Sequence, residues 1–217
     1  MHANERRVDR MDTWIRLADA TPRDQEQEHV QFVFYWIAYE AAYKHEGPER
    51  KESRYERQQL HERLARCDGE KLRGLLNAQR RDVVSILELR QAHHSFWHEV
   101  PGVRNVEEWE RKFAGWVKKD KENLGNLKIS VTLDNLFWRL NIVRNQIVHG
   151  GSAGPRSLGR TQVMLGARLL KVLVPCFRDI IRLNVDQDWG KPPFPRVGSV
   201  RDKKYPPPWL VTRDYRG

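Results

Sequence analysis

Cysteine is scarce in this chain, and its scarcity excludes two classes of small protein. Only Cys67 and Cys176 occur among 217 residues. Two cysteines cannot form the network of disulfides that holds many small secreted domains, nor a cysteine-rich zinc site. We therefore expect both thiols to stay reduced and unreactive.

Long apolar runs are also missing. The longest, residues 163–177, is interrupted by Arg168 and Lys171 and is too short to cross a bilayer. The first residues are charged and lead into no apolar stretch, so no signal peptide is predicted. These features predict a soluble, cytoplasmic protein with no membrane contact.

Several motifs that carry chemistry are absent as well. The chain has no P-loop, no G-x-G-x-x-G and no G-x-S-x-G. His93, His94 and His98 lie close together, but no H-E-x-x-H arrangement accompanies them, so we favour a surface or interface role. Asp186 and Asp188 precede a tryptophan in a loop, where carboxylates commonly cap a turn. The sequence therefore predicts neither a metal nor a cofactor.

Positive charge is what the chain has in excess, and it is placed unevenly. The formal net charge is +10. Residues 1–138 hold 24 basic and 24 acidic residues, so residues 139–217, with 15 basic and 5 acidic, carry the whole excess. A neutral body followed by a basic last third favours a polyanionic partner such as RNA or DNA. The alternative is a solvated face that only aids solubility.

Apolar residues recur at three- and four-residue spacing along most of the chain, which predicts an all-α protein. The predicted helices cover residues 3–20, 24–44 with Asp24 as cap, 50–66, 72–97 as one or two helices, 106–124, 132–148 and 160–183, the last kinked at Pro175. The breaks between them are Thr21-Pro22, Gly47-Pro48, Asp68-Gly69, Pro101-Gly102, Gly125-Asn126 and Gly150-Gly151.

Two further features set the predicted organisation. Residues 32–39 are so rich in aromatic side chains that they predict the most buried helix of a core, rather than a base-stacking surface. Residues 185–217 contain six prolines and no periodicity. We therefore predict one helical domain over residues 1–184, followed by an extended basic tail over 185–217.

The most informative segment runs from residue 144 to residue 151, at the end of a predicted helix. Asn145 and His149 are four residues apart and share a face, and Arg144 can lean towards the same end. An imidazole can move protons, and a guanidinium can stabilise charge on a phosphorane, so the pair suits phosphodiester cleavage. Taken alone, the pattern also fits a histidine that merely caps a helix.

The arrangement of Arg144, Asn145 and His149 resembles the R-x(4–6)-H motif of HEPN domains, with four residues between Arg and His. More of the chain, from about residue 30 to residue 200, resembles the Apea-like branch of these bacterial proteins. The similar segments are residues 34–39 with Tyr43, His149-Gly150-Gly151, Arg160, Gln162, residues 173–175, Trp189-Gly190 and Phe194-Pro195.

The chain departs from that branch at two places. Glu40 stands where the branch has an asparagine, and Gly159 and Thr161 flank Arg160 where asparagine and aspartate are usual. We expect neither departure to touch Arg144 or His149, which would leave the catalytic pair intact.

The resemblance implies a HEPN-like helical bundle with extra helices that pairs as a homodimer. In such dimers the motifs of the two subunits meet and form one cleft. Active members are metal-independent endoribonucleases, in which the RNA 2′-hydroxyl attacks the adjacent phosphate and leaves a 2′,3′-cyclic phosphate and a 5′-hydroxyl. Many are toxins or phage-defence effectors, which implies an antitoxin or a defence-system protein as a further partner.

The resemblance also assigns roles to individual residues. His149 would assist proton transfer, Arg144 would stabilise the transition state, and Asn145 would orient His149 or the phosphate. The nearest additional cations for holding RNA are Arg139, Arg156 and Arg160.

Two other functions stay open at this point. Some HEPN proteins have lost activity, so the chain also fits a non-catalytic module that dimerises and binds RNA or a partner protein. A basic helical DNA-binding regulator is the third reading, although no helix-turn-helix with a basic recognition helix is evident. The intact pair of Arg144 and His149 favours the ribonuclease.

Overall fold

A computed structural model describes residues 3–22, 27–45, 53–98, 106–149 and 159–193, and none of these residues forms a strand. The prediction of an all-α protein is therefore confirmed for the described part of the chain. Its eight α-helices are α1 (Ala3–Ala20), α2 (Glu28–Tyr43), α3 (Ser53–Ala78), α4 (Arg80–Glu88), α5 (His94–His98), α6 (Val106–Gly125), α7 (Ile129–Val148) and α8 (Arg160–Leu183). A short 3₁₀ helix, Arg90–Ala92, separates α4 from α5.

Two predicted boundaries need correction. Helix α2 begins at Glu28 with Gln27 in the N-cap position, so Asp24 is not its cap. Helix α3 continues through the predicted break, where only Asp68 leaves helical geometry, at φ −153° and ψ 66°. The Asp68 carboxylate accepts a hydrogen bond from the Lys71 N–H at 3.1 Å, which restarts the helix at once. The predicted breaks at residues 47–48, 101–102 and 150–151 lie outside the described residues.

Helix α8, rather than α2, is the most buried element. Thirteen of its 24 residues are buried, against seven of 16 in α2. The reason is position, because α8 packs against α1, α2, α3, α4 and α7. The helix continues on both sides of Pro175.

The aromatic run of α2 enters the core, as its composition predicts. The Tyr39 ring lies 4.2 Å from the Phe137 ring of α7, measured between centroids, and 6.2 Å from the Phe177 ring of α8. Close approach of the helices depends on Gly166, since a Cβ there would lie 2.5 Å from Phe32 Cε2. These contacts place α2, α7 and α8 in one packed unit.

A buried arginine joins α1 to two distant segments. Arg7 is fully buried, and its two Nη groups donate hydrogen bonds to five backbone carbonyls. The acceptors are Ala41, Ala42 and Lys44 at the end of α2, at 3.0, 2.6 and 3.1 Å, and Trp189 and Gly190 after α8, at 2.9 and 2.7 Å. We call this arrangement the Arg7 clamp.

The start of the predicted tail is folded against the body. Trp189 is buried, and its indole N–H donates to the Asn184 carbonyl at 2.8 Å. The Asp188 carboxylate accepts from the Gly190 N–H at 2.8 Å, and Gly190 adopts a φ of +74°, which favours glycine. The turn-capping interpretation of Asp188 is thus confirmed. Residues 194–217 of the predicted tail lie outside the described residues.

Within the described ranges, no helix combines the length and the apolar character needed to cross a bilayer.

Candidate functional site

Helix α7 carries the predicted catalytic residues and has two distinct faces. Its core face consists of the fully buried residues Leu133, Leu136, Phe137, Leu140 and Val143. A second row, at three- and four-residue spacing, consists of Asp134, Trp138, Asn141 and Asn145, and it ends at His149. We call this row the polar face of α7. Its spacing puts the end of the motif on the same side of the helix as Asp134 and Trp138.

Arg144 and Asn145 are in direct contact. The Arg144 Nη1 group donates a hydrogen bond to Asn145 Oδ1 at 3.0 Å. The Arg144 side chain is 31% exposed, and its Nε–H is buried without a partner among the described residues. The exposed part of the guanidinium can therefore donate to a bound anion, whereas the buried Nε–H is out of reach.

Glu40 of α2 also contacts this guanidinium, contrary to expectation. The Glu40 carboxylate lies 3.6 Å from Arg144 Nη2, and it accepts a hydrogen bond from the Trp36 indole at 2.9 Å. The expectation that Glu40 would not touch Arg144 is wrong, because α2 packs against α7 at this level. At 3.6 Å the contact is an ion pair rather than a close hydrogen bond.

His149 occupies the C-cap position of α7 and is exposed. Its backbone N–H donates to the Asn145 carbonyl at 2.9 Å, which holds the residue at the end of the helix. The imidazole forms no hydrogen bond or ion pair with any of the described residues. Its ring nitrogens are thus available to a ligand or to a second subunit.

The three cations predicted to hold RNA differ in how far the structure exposes them. Arg139 is only 2% exposed and pairs with Asp120 of α6 at 3.3 Å, so its prediction as an RNA-contacting surface residue is corrected. A buried arginine in an ion pair cannot offer its charge to a polyanion at the surface. Arg160 begins α8 and is partly buried, whereas Arg156 lies outside the described residues.

Part of the positive charge of the last third is paired with carboxylates in the described part of the fold. Within residues 139–184, five arginines form ion pairs with carboxylates, most of them contributed by the neutral first part of the chain. The pairs are Arg139 with Asp120, Arg144 with Glu40, Arg168 with Asp82, and Arg178 and Arg182 with both Asp12 and Asp179. A charge count along the sequence cannot detect this, because the partners are distant in the chain.

Sequence reasoning missed a buried polar chain between α2, α3 and α7. The His61 imidazole is fully buried, with Nε2 3.0 Å from the Tyr39 hydroxyl and Nδ1 hydrogen-bonded to the Asp134 carboxylate. Because a carboxylate can only accept, Nδ1 carries the proton. Burial lowers the pKa of His61, so the ring is neutral at pH 7 and Nε2 accepts from Tyr39.

This Tyr39–His61–Asp134 chain has the order of a catalytic triad but lacks an accessible nucleophile. Tyr39 is fully buried, and burial raises the pKa of its hydroxyl well above 10. The hydroxyl can neither reach a substrate nor ionise readily. The chain therefore satisfies polar groups inside the core and holds Asp134 in place. One sequence signal was available, since Asp134 is the one acidic residue within the predicted helix over residues 132–148.

No group of three or more metal-ligating side chains occurs among the described residues. The His93 imidazole instead stacks on Trp116 with ring centroids 4.6 Å apart, and its Nδ1 lies 2.7 Å from the Ser95 hydroxyl. Burial, with the nearby charge of Arg139, lowers the pKa of His93 to about 4. These contacts give the histidine a packing role.

Comparison with protein-family models, with curated proteins and with solved structures finds no match to this chain.

Proposed function

We propose that this protein is a metal-independent endoribonuclease of HEPN type. The observation that carries the proposal is the joint position of three residues at the end of α7: Arg144 and Asn145 touch, and His149 follows at the surface with an imidazole that bonds to none of the described residues. The resemblance of the sequence to Apea-like HEPN proteins supplies the reaction type.

The chemistry uses the substrate's own nucleophile. The 2′-oxygen of a ribose forms a bond to the adjacent phosphorus, and the bond from phosphorus to the 5′-oxygen breaks. His149 assists transfer of the proton lost by the 2′-hydroxyl and gained by the leaving 5′-oxygen. Arg144 donates hydrogen bonds to the phosphorane oxygens, and Asn145 holds the guanidinium in place through the observed contact.

The proposal includes a homodimer in which two copies of the motif form one cleft. An exposed His149 at a helix end suits such an arrangement, because the residue is open to a second copy. Arg160 and Arg156 are the cations proposed to hold RNA beside this cleft, and Arg139 is left out because of its burial. A role as a toxin or phage-defence effector with its own partner protein is part of the same proposal.

One observation favours a non-catalytic module instead. The Glu40 carboxylate beside Arg144 cancels part of the positive charge that a transition state would need. On this second reading the protein dimerises and binds RNA or a partner protein without cleaving it.

Incubation of the purified protein with total RNA, in the presence of EDTA, separates the two readings. We expect cleavage products that end in a 2′,3′-cyclic phosphate. His149→Ala should lower the rate by about 10²-fold or more, since a general acid–base group typically contributes that much. RNA affinity should change little, whereas Arg160→Ala should weaken binding and spare the rate at saturation.

His29→Ala is the matched control. His29 lies in the first turn of α2, 11 residues and about 16 Å along that helix from Glu40. The His29→Ala variant should cleave RNA at the same rate as the parent protein. If His149→Ala cleaves as fast as the parent, or if activity disappears in EDTA and returns with Mg²⁺, the ribonuclease proposal fails and the binding module becomes the better account.

A further inference from the structure

A polar cavity of about 230 Å³ lies between α3 and α7. Arg54 and Arg57 of α3 line one side, and Asp134, Asn135 and Trp138 of α7 line the other. Pockets that enclose drug-sized ligands usually measure about 300–1,000 Å³, so this one suits a small group rather than a whole large molecule.

Arg57 is a buried cation without a matching anion. The residue is 6% exposed, and its Nη1 group donates to Asn141 Oδ1 at a long 3.4 Å. No carboxylate of the described residues forms an ion pair with it. The neighbouring Tyr43 hydroxyl cannot supply a negative charge either, because burial raises its pKa and keeps it protonated. A buried charge is costly unless it is paired, and a bound anion would pair it.

Trp138 holds the two guanidinium groups beside the cavity. The Arg54 guanidinium carbon lies 4.9 Å from the centroid of the Trp138 ring, and that of Arg57 lies 5.8 Å away. Such cation–π contacts restrict both side chains before any ligand arrives. Less conformational entropy is then lost on binding.

One negative charge faces the same cavity. The Asp134 carboxylate is 21% exposed, and it is already hydrogen-bonded to the neutral His61. Two guanidinium charges therefore outweigh one carboxylate charge at this site, which leaves a positive potential inside a partly enclosed space.

We propose that this cavity binds the phosphate group of a nucleotide, which is either free or part of an RNA chain. Phosphate oxygens form strong charge-assisted hydrogen bonds with arginine, and one phosphate can accept from two guanidinium groups. The nucleoside stays at the mouth of the cavity. The site does not depend on cleavage by the α7 motif.

The position of the cavity on α7 connects it to an RNA chain. Trp138 and His149 belong to the polar face of α7 and are 11 residues apart, which corresponds to about 16 Å along the helix axis. A single strand that runs along this face would reach both. The RNA form of the ligand rests on the proposed function, whereas the free nucleotide does not.

Isothermal titration calorimetry with three probes tests the site. The probes are inorganic phosphate, adenosine 5′-monophosphate and an eight-nucleotide single-stranded RNA, and the His149→Ala background keeps the RNA intact. We expect Arg57→Gln to raise the dissociation constant about tenfold or more, because it removes a charged hydrogen-bond donor. Arg54→Gln, at an exposed position, should raise it about threefold and leave thermal unfolding unchanged.

Arg73→Gln is the matched control, since Arg73 lies on the same helix and pairs with Glu70 away from the cavity. The Arg73→Gln variant should bind each probe with the same affinity as the His149→Ala protein. Mononucleotide binding that is sensitive to both variants identifies the free nucleotide as ligand, and sensitivity of RNA alone identifies the RNA chain. Absence of binding by any probe at about 10 mM, or binding that neither Arg57→Gln nor Arg54→Gln weakens, overturns the proposal.

Discussion

Two arginines reach the last turn of α2 from different helices, and they are used in opposite ways. Arg7 of α1 is fully buried and bonds to the carbonyls of that turn and of the segment after α8. Arg144 of α7 is 31% exposed and meets one amide oxygen and the side chain of Glu40. Both have a buried Nε–H without a described partner, so the difference lies in the Nη groups.

The difference shows how a fold distinguishes a structural charge from a functional one. The Nη groups of Arg7 are fully used by backbone carbonyls that no ligand can displace. Burial, with Arg63 nearby, lowers the pKa of Arg7 to about 10, so it is still charged at neutral pH. Arg144 has fewer and longer contacts and faces solvent, so its donors can be shared with a substrate.

Removal of the clamp should have the largest effect. Arg7→Met leaves five backbone carbonyls without this donor, two of them in fully buried hydrogen bonds, and loss of one partner of a buried charged arrangement typically costs about 3–5 kcal/mol. Urea unfolding measures the loss. Arg6→Met, at the exposed neighbouring position, should change the free energy of unfolding by less than about 0.5 kcal/mol. A loss below about 1 kcal/mol for Arg7→Met would show that water replaces the guanidinium.

Gly166→Ala tests the scaffold that both arginines share. The added Cβ would lie 2.5 Å from Phe32 and 3.1 Å from Leu140, so α8 must move away from α2 and α7. Overpacking of this kind costs about 1–3 kcal/mol. Gly115→Ala in α6, where a Cβ meets nothing within 4 Å, should instead stabilise the protein by about 0.5–1 kcal/mol. Equal effects from the two substitutions would contradict the packing account.

Arg144→Met should change stability little and RNA cleavage strongly, which is the opposite of the result expected for Arg7→Met. Since both Arg144 and Glu40 are about one-third exposed, their ion pair should contribute less than about 1 kcal/mol to stability. RNA cleavage and RNA affinity should nevertheless both fall. Parallel unfolding and cleavage assays on the same preparation provide the measurement. A loss of stability as large as that of Arg7→Met would make Arg144 a structural residue as well.

Glu40→Gln should have the smallest effect and the opposite sign. Removal of a carboxylate beside Arg144 leaves more positive charge for RNA, and a surface pair of this kind corresponds to about a threefold gain in affinity. Glu62→Gln, an exposed carboxylate on α3, serves as the control. A decrease in affinity for Glu40→Gln would mean that the carboxylate positions the guanidinium rather than competes with RNA.

Much of the fold is predictable because the buried residues of each helix recur at three- and four-residue spacing in the sequence. The bounds of α1 and α6 lie within one residue of their predicted ends. The missed continuation of α3 has a local cause, because Asp68 restarts the helix through its own side chain. Helix α7 also begins three residues before its predicted start, at Ile129, which is itself buried.

The site was predictable only where its parts are close in sequence. The contact between Arg144 and Asn145 joins neighbours in the chain. The pairs that change its interpretation, Arg144 with Glu40 and His61 with Asp134, connect different helices. Periodicity places a residue on a face of its own helix, but it does not say which residue of another helix lies opposite.

The Arg7 clamp also has a consequence for how the chain is made. Its acceptors at Trp189 and Gly190 follow Arg7 by 182 and 183 residues. At a translation rate of about 5–20 residues per second, the ribosome needs about 10–40 seconds to deliver them. During that interval α1 carries a guanidinium that cannot yet be buried with all of its partners. Helix α1 can therefore complete its contacts only after the segment that follows α8 has been made.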